Sequence, residues 1–188
     1  KINLINSESD KNTTKFSISI SGADRTLKLE NECDPIDYSS LDADGHIVSP
    51  IFHEISNDVF KKIKDDSNFL LVDPQGFLRQ KDSKNNIILK KTDLDLSDVN
   101  AIKINPEEGQ NIVSGSHDEM MLALQKKGIE YVLLTNKSDV SLLVKNRVYS
   151  LKLPNKHIHD TTGIGDIFCS AFTCTMLKEK DFLWALCF

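Results

Sequence analysis

The chain has 188 residues, 39% hydrophobic and 27% charged, with a formal net charge of −5. That balance is ordinary for a soluble globular protein and supplies one sizeable core. Acidic and basic residues are interspersed, so the basic stripe of a nucleic-acid binder is excluded, and Lys90-Lys91 and Lys126-Lys127 read as solvated surface. The longest apolar runs, such as Phe69 to Val72 and Tyr131 to Leu134, are too short for a membrane span. Cys33, Cys169, Cys174 and Cys187 form no C-x-x-C pair and no zinc spacing, and are expected to be buried reduced thiols of a cytoplasmic protein. Lys1 opens the chain without an initiator Met or a signal-peptide core, as at a fragment boundary.

The first predicted element is a β-hairpin. Phe16, Ile18 and Ile20 alternate with serines, Ser21 to Asp24 turns the chain, and Leu27 and Leu29 continue the alternation. Such a ribbon is too small to be stable alone and must lean on something larger. After a polar stretch, His46 to Ser49 reads as a short strand. Ile55, Val59, Phe60 and Ile63 then recur at helical spacing through about Asp65. Phe69 to Val72 and Ala101 to Ile104 read as buried parallel strands. Ser116 to Glu119 is a capping box, opening a helix that stops at Gly128, and Tyr131 to Thr135 is the next buried strand. Leu142 to Val144 and Val148 to Leu153 form a second hairpin through Asn146. Ile164 to about Lys178 is helical, and a last apolar run, Phe182 to Leu186, begins another helix.

Strands alternating with helices predict a layered α/β fold with a mostly parallel sheet. In such sheets chemistry gathers beyond the C-terminal strand ends. Those ends are Asp73-Pro74-Gln75-Gly76, Asn105 to Glu108, and Thr135.

The most informative stretch is Asp160-Thr161-Thr162-Gly163-Ile164-Gly165-Asp166. Its glycines let the backbone approach a ligand closely and lead into a helix whose first amides are unpaired and partly positive, an anion pocket. A carboxylate at that place, Asp166, either accepts a proton from an attacking hydroxyl or helps hold a metal; the bland alternative is a first-turn helix acid.

This string, with Ile167-Phe168 and the small Ser170 and Ala171, resembles the D-T-x-G-A-G-D-x-F signature of the ribokinase/PfkB carbohydrate kinase family. The resemblance implies a three-layer Rossmann-like (ribokinase-like) fold with a small β lid hairpin: residues 1–32 as a partial lid, and 33–188 as an ATP-binding core truncated at both ends. It implies ATP-dependent phosphorylation of a CH₂OH hydroxyl of a sugar or nucleoside. Asp166 would be the base, and the amides of Gly163, Ile164 and Gly165 an anion hole. Asp160 and Thr162 would match positions that bind a monovalent cation such as K⁺. Asn105-Pro106-Glu107-Glu108 resembles the family's N-x-x-E motif, in which Asn105 and Glu108 organise Mg²⁺ and phosphates through water.

Val132 to Thr135 resembles the strand before the family's nucleotide loop, T-x-G-x-x-G, but Lys137 and Val140 stand where glycines are usual. Thr135 would then border the nucleotide, and Lys137 is either a phosphate contact or an exposed loop lysine. Arg79, placed like the arginine of D-x-N-x-R, is either a substrate or phosphate contact or a surface residue. The family's N-terminal sugar-contacting part and its C-terminal adenine-pocket helices are expected to be missing here. A homodimer through the lid is the expected partner arrangement, with no nucleic acid and no membrane. The competing readings are a catalytically impaired nucleotide- or phosphate-binding module and a structural domain of a larger assembly.

Overall fold

The computed structural model describes residues 9–21, 24–154 and 162–188. The hairpin comes first: β1 (Lys15–Ser21) pairs antiparallel with β2 (Asp24–Asn31), Phe16 opposite Leu29 and Ile18 opposite Leu27. Only its base is packed. Leu29 is buried and the Phe16 ring meets Phe52 edge-on, whereas Ile18 and Ile20 are exposed.

From there the chain alternates: β3 (His46–Val48), α1 (Asn57–Asp66), β4 (Leu70–Val72), α2 (Gln75–Leu78), β5 (Arg79–Lys81), β6 (Ile87–Leu89), β7 (Ala101–Ile104), α3 (Pro106–Ile112), α4 (His117–Lys126), β8 (Tyr131–Thr135), β9 (Asp139–Val144), β10 (Arg147–Lys152), α5 (Ile164–Glu179) and α6 (Phe182–Cys187). Local chemistry sets most of these boundaries. Ser56 caps α1 by accepting from the Val59 amide, and Ser116 and Glu119 close the expected capping box on α4. Gly128 follows α4 with φ +103°, a conformation that a side chain would strain. Lys145 and Asn146, both with positive φ, turn β9 into β10 as a two-residue hairpin loop requires.

The central sheet has the order β10-β9-β8-β7-β4-β3. Strands β3, β4, β7 and β8 are parallel, and β9 and β10 add antiparallel at one edge. Strand side chains alternate between two faces. Leu70, Val72, Ile102, Ile104, Val132 and Leu134 pack one way, against α1, α3 and α4. Leu71, Ala101 and Leu133 pack the other way, against Cys169, Phe172 and Met176 of α5 and Ala185 and Leu186 of α6. The result is the three-layer α/β architecture expected from the sequence. The opening hairpin leans on this body, where the Leu29 amide donates to Asn85 O at 2.9 Å and Lys28 bridges Asn86, beside the β5–β6 ribbon.

Two expectations need correction. Helix α2 and the β5–β6 ribbon occupy a stretch with no predicted element, because elements of three or four residues carry no periodicity. The cysteines are unbridged, but only Cys169 is buried, Cys33 is intermediate, and Cys174 and Cys187 are exposed. Cys174 lies five residues past Cys169 on a helix, roughly 140° around the axis, and so faces away from the sheet. Among the described residues no helix is long and apolar enough to cross a membrane.

Candidate active site

The C-terminal ends of β3, β4 and β7 bring Ser49, Asp73, Lys103 and Asn105 to one edge of the sheet. The first turn of α5 lies across them. Gly163 takes φ +80°, a left-handed value that favours glycine, and the chain enters α5 directly after it. The first bond of the helix, Ile167 N–H to Gly163 O at 3.0 Å, leaves the amides of Ile164, Gly165 and Asp166 ahead of the helical ladder. Partial positive charge collects at such a turn. Asp166 is exposed, and the Ser49 hydroxyl donates to its Oδ1 at 3.0 Å. That bond fixes one carboxylate oxygen and leaves Oδ2 to accept from a ligand.

Beneath the turn is an ion pair that the sequence reading passed over. The register Leu71–Ala101 and Val72–Ile102 makes Asp73 and Lys103 cross-strand neighbours on the α5 face. Lys103 Nζ donates to Asp73 Oδ2 at 2.8 Å, with Asp73 only 1% exposed. Glu108 Oε2 stands 4.0 Å from the same ammonium. Burial works against the Lys103 charge, but Asp73 and Glu108 outweigh it and hold the ammonium above the ordinary lysine value. Burial pushes the Glu108 carboxyl up from its usual value, with Lys103 opposing. Burial and then the Asp73 charge push the Cys169 thiol up to about 12, so it is inert at neutral pH.

Asn105 and Glu108 form a full capping box at the start of α3. Asn105 Oδ1 accepts from the Glu108 amide at 2.8 Å, and Glu108 Oε2 accepts from the Asn105 amide at 2.9 Å. Among the described residues no group of three His, Cys, Asp or Glu is placed to hold a metal directly. This donor set fits a Mg²⁺ that keeps its water shell and meets the protein through water.

A cleft of about 670 Å³ lies between the hairpin, the β5–β6 ribbon and α3. Leu27 and Ile87 to Leu89 supply its apolar wall, and Gln75, Arg79, Asn105, Glu107 and Glu108 its polar one. Arg79 is tied into that wall: it donates to Ile51 O at 2.9 Å and to Gln75 Oε1 at 2.7 Å, and stacks over Phe16. Gly76 must be glycine here, because a Cβ would stand 2.3 Å from Pro50 O, backbone against backbone.

The structure therefore gathers Arg79, Asn105 and Glu108 along the cleft; Gly163, Ile164, Gly165 and Asp166 stand on the α5 turn and do not line that cleft, with Lys103 between Glu108 and Gly165. Thr135 and Lys137 are not in its lining. The Thr135 hydroxyl donates to Ile104 O at 3.3 Å, and Lys137 is exposed in the turn closed by Asn136 N–H to Asp139 O at 2.8 Å. Val140, at a position where glycine is usual in the T-x-G-x-x-G loop, is buried in the core under α5 and α6. Thr162 is exposed, and Asp160 lies outside the described residues. Ser49 and Lys103 are the additions; only the strand-end position of Ser49 and the lone lysine within Ala101 to Ile104 could have marked them.

No protein-family model matches the chain, and no curated protein matches it by sequence. Solved structures do match. A pyrophosphate-dependent kinase in the ribokinase family, in a sulfate complex, superposes with a TM-score of 0.80 at 20% identity, covering 93% of this chain and 65% of that one. A pyrophosphate-dependent kinase in the same family, complexed with a pyrophosphate analogue and myo-inositol, gives 0.75 at 21% identity over 86% of this chain and 62% of that one. A ribokinase from Thermotoga maritima gives 0.56 at 15% identity over 74% and 45%. The chain thus spans less than two thirds of the length of these structures.

Proposed function

From the premise that the chain has the ribokinase-like fold, we propose that it belongs to a kinase moving a phosphoryl group from an anionic donor to an alcohol hydroxyl of a small sugar- or nucleoside-like acceptor. The observation that carries this reading is Asp166, held by Ser49 at the open first turn of α5. The acceptor O–H gives its proton to Asp166 Oδ2 as its oxygen attacks phosphorus, and the phosphorus–oxygen bond to the leaving group breaks. The amides of Gly163, Ile164 and Gly165, with that of Asp166 beside them, meet the oxygens of the transferred group, where charge is spread in the transition state. Asn105 and Glu108 would hold a Mg²⁺ through its waters, and the ion would neutralise charge on the donor. A monovalent cation at Asp160 and Thr162, a phosphate contact from Lys137, a nucleotide contact at Thr135 and a dimer through the exposed face of the hairpin belong to the same proposal.

ATP is the donor that the motif resemblance implies. Pyrophosphate is a second reading, favoured by the tight β8–β9 turn without loop glycines and by the pyrophosphate-dependent kinases among the matching structures. Calorimetry of the full-length protein with Mg²⁺ and each donor tests both: ATP binding alone supports the first, and pyrophosphate binding without ATP binding supports the second. Binding of neither donor overturns the reading.

Ser49→Ala leaves Asp166 free to rotate away from the acceptor. We expect turnover to fall about tenfold, equivalent to about 1.4 kcal/mol of lost charge-assisted hydrogen bonding, with KM for the acceptor unchanged. Steady-state kinetics at saturating donor checks this.

A further inference from the structure

A lysine in the middle of a fully buried strand is an expensive choice. Lys103 is 8% exposed, flanked along β7 by Ala101, Ile102 and Ile104, each at 0%. An apolar side chain would fill that space without the cost of desolvating a charge, and buried ion pairs are often no more stabilising than the hydrophobic residues that could replace them. Stability alone is therefore a poor reason for the Lys103–Asp73 pair.

Geometry gives a better one. A Cβ on Gly165 would stand 3.4 Å from Lys103 Nζ and 3.7 Å from Asp73 Oδ2, ordinary contact distances, so the first turn of α5 lies over the pair with room for about one methyl group between them. A methyl at Gly165 would just meet the pair, and a bulkier side chain directed that way would displace the pair or the turn. On its other side the same ammonium faces Glu108 Oε2 of the α3 capping box at 4.0 Å. One charged atom thus lies beneath the turn that carries Asp166 and beside the turn that carries Asn105 and Glu108. These are the two elements that must keep register if a phosphoryl group is to sit between them.

We propose that Lys103 is a positioning residue: clamped to Asp73, it is the pedestal that sets the height of the Gly163–Asp166 turn above the strand ends and its spacing from α3. The inference rests on the kinase reading above. It assigns Lys103 no contact with substrate. Its expected effect is on the rate of transfer and not on acceptor affinity, because misplacing reacting groups by about 1 Å costs roughly 10²-fold in rate.

Lys103→Met alone leaves Asp73 buried without its counter-charge and is expected to fold poorly. The informative variant is Asp73→Leu/Lys103→Met, which removes the salt-bridged pair together and leaves Glu108 held by the Asn105 amide. Gly165→Val is its companion, and presses a side chain larger than a methyl onto an intact pair. Both are made in the full-length protein and compared with the parent for melting temperature, pyrophosphate and ATP affinity, kcat and acceptor KM. We expect a parent-like fold, kcat down about 10²-fold in each and acceptor KM changed by less than about threefold. Parent-like kcat in Gly165→Val, or in a folded double variant, overturns the inference while leaving the kinase reading intact. A parent that neither transfers phosphate nor binds either donor overturns the kinase reading itself.

Discussion

Asp166→Asn is expected to lower phosphoryl transfer by about 10²–10⁴-fold while leaving donor affinity at the parent value. The amide is nearly isosteric and its oxygen still accepts the Ser49 hydroxyl seen at 3.0 Å, so the first turn of α5 keeps its shape. What is lost is the ability to take a proton at Oδ2. The open amides of Ile164, Gly165 and Asp166 remain, and with them the attraction for an anion. Rate loss with retained donor binding separates a base from a structural carboxylate. Equal losses of rate and donor affinity would mean that Asp166 shapes the pocket instead. Parent-like rates would remove it from the chemistry.

The second large effect is on stability. Phe172→Ala is expected to cost about 3–5 kcal/mol, because an aromatic side chain with no solvent exposure leaves a cavity that packed neighbours cannot fill. Phe172 sits in the layer between α5 and the sheet, with its ring 6.2 Å from Tyr131 and 6.4 Å from Phe168. Against a typical net stability of about 5–15 kcal/mol, that loss is a large fraction of the total. Since α5 carries Gly163 to Asp166 at its start, transfer activity should fall at temperatures where the parent is unaffected. Urea unfolding of Phe172→Ala and the milder Phe172→Leu checks this; a midpoint for Phe172→Ala equal to the parent's would show that α5 does not depend on this contact.

Much of this architecture was legible in the sequence, for local reasons. The α4 helix announces itself through Ser116 and Glu119, and the parallel strands through short apolar runs ending at polar residues. The β9–β10 hairpin follows from Asn146, a residue type that tolerates positive φ. The glycine turn at the start of α5 stands where its glycines place it, although Asp160 and Thr161 lie outside the described residues. What escaped is non-local or too short. Ser49 reaches Asp166 across 117 residues of chain, and Lys103 meets Asp73 only because β4 and β7 are neighbours in register. Helix α2 has four residues and the β5–β6 strands three each. Asn105 and Glu108 illustrate a different limit. The residues expected to organise a metal also form a reciprocal helix cap, and the motif has the same letters in both roles. Lys137 and Val140 reverse the lesson: departures from the glycine pattern coincide with a tight turn and a core position.

The measurement that bears most directly on phosphoryl transfer is ³¹P NMR of the full-length protein with Mg²⁺, one donor at a time and a panel of polyols, sugars and nucleosides. The account predicts a new phosphomonoester resonance with at least one acceptor, growing as the ATP or pyrophosphate signal declines, and absent with Asp166→Asn on the same timescale. Donor signals unchanged with every acceptor would contradict it, and would leave a ribokinase-like domain whose work is binding.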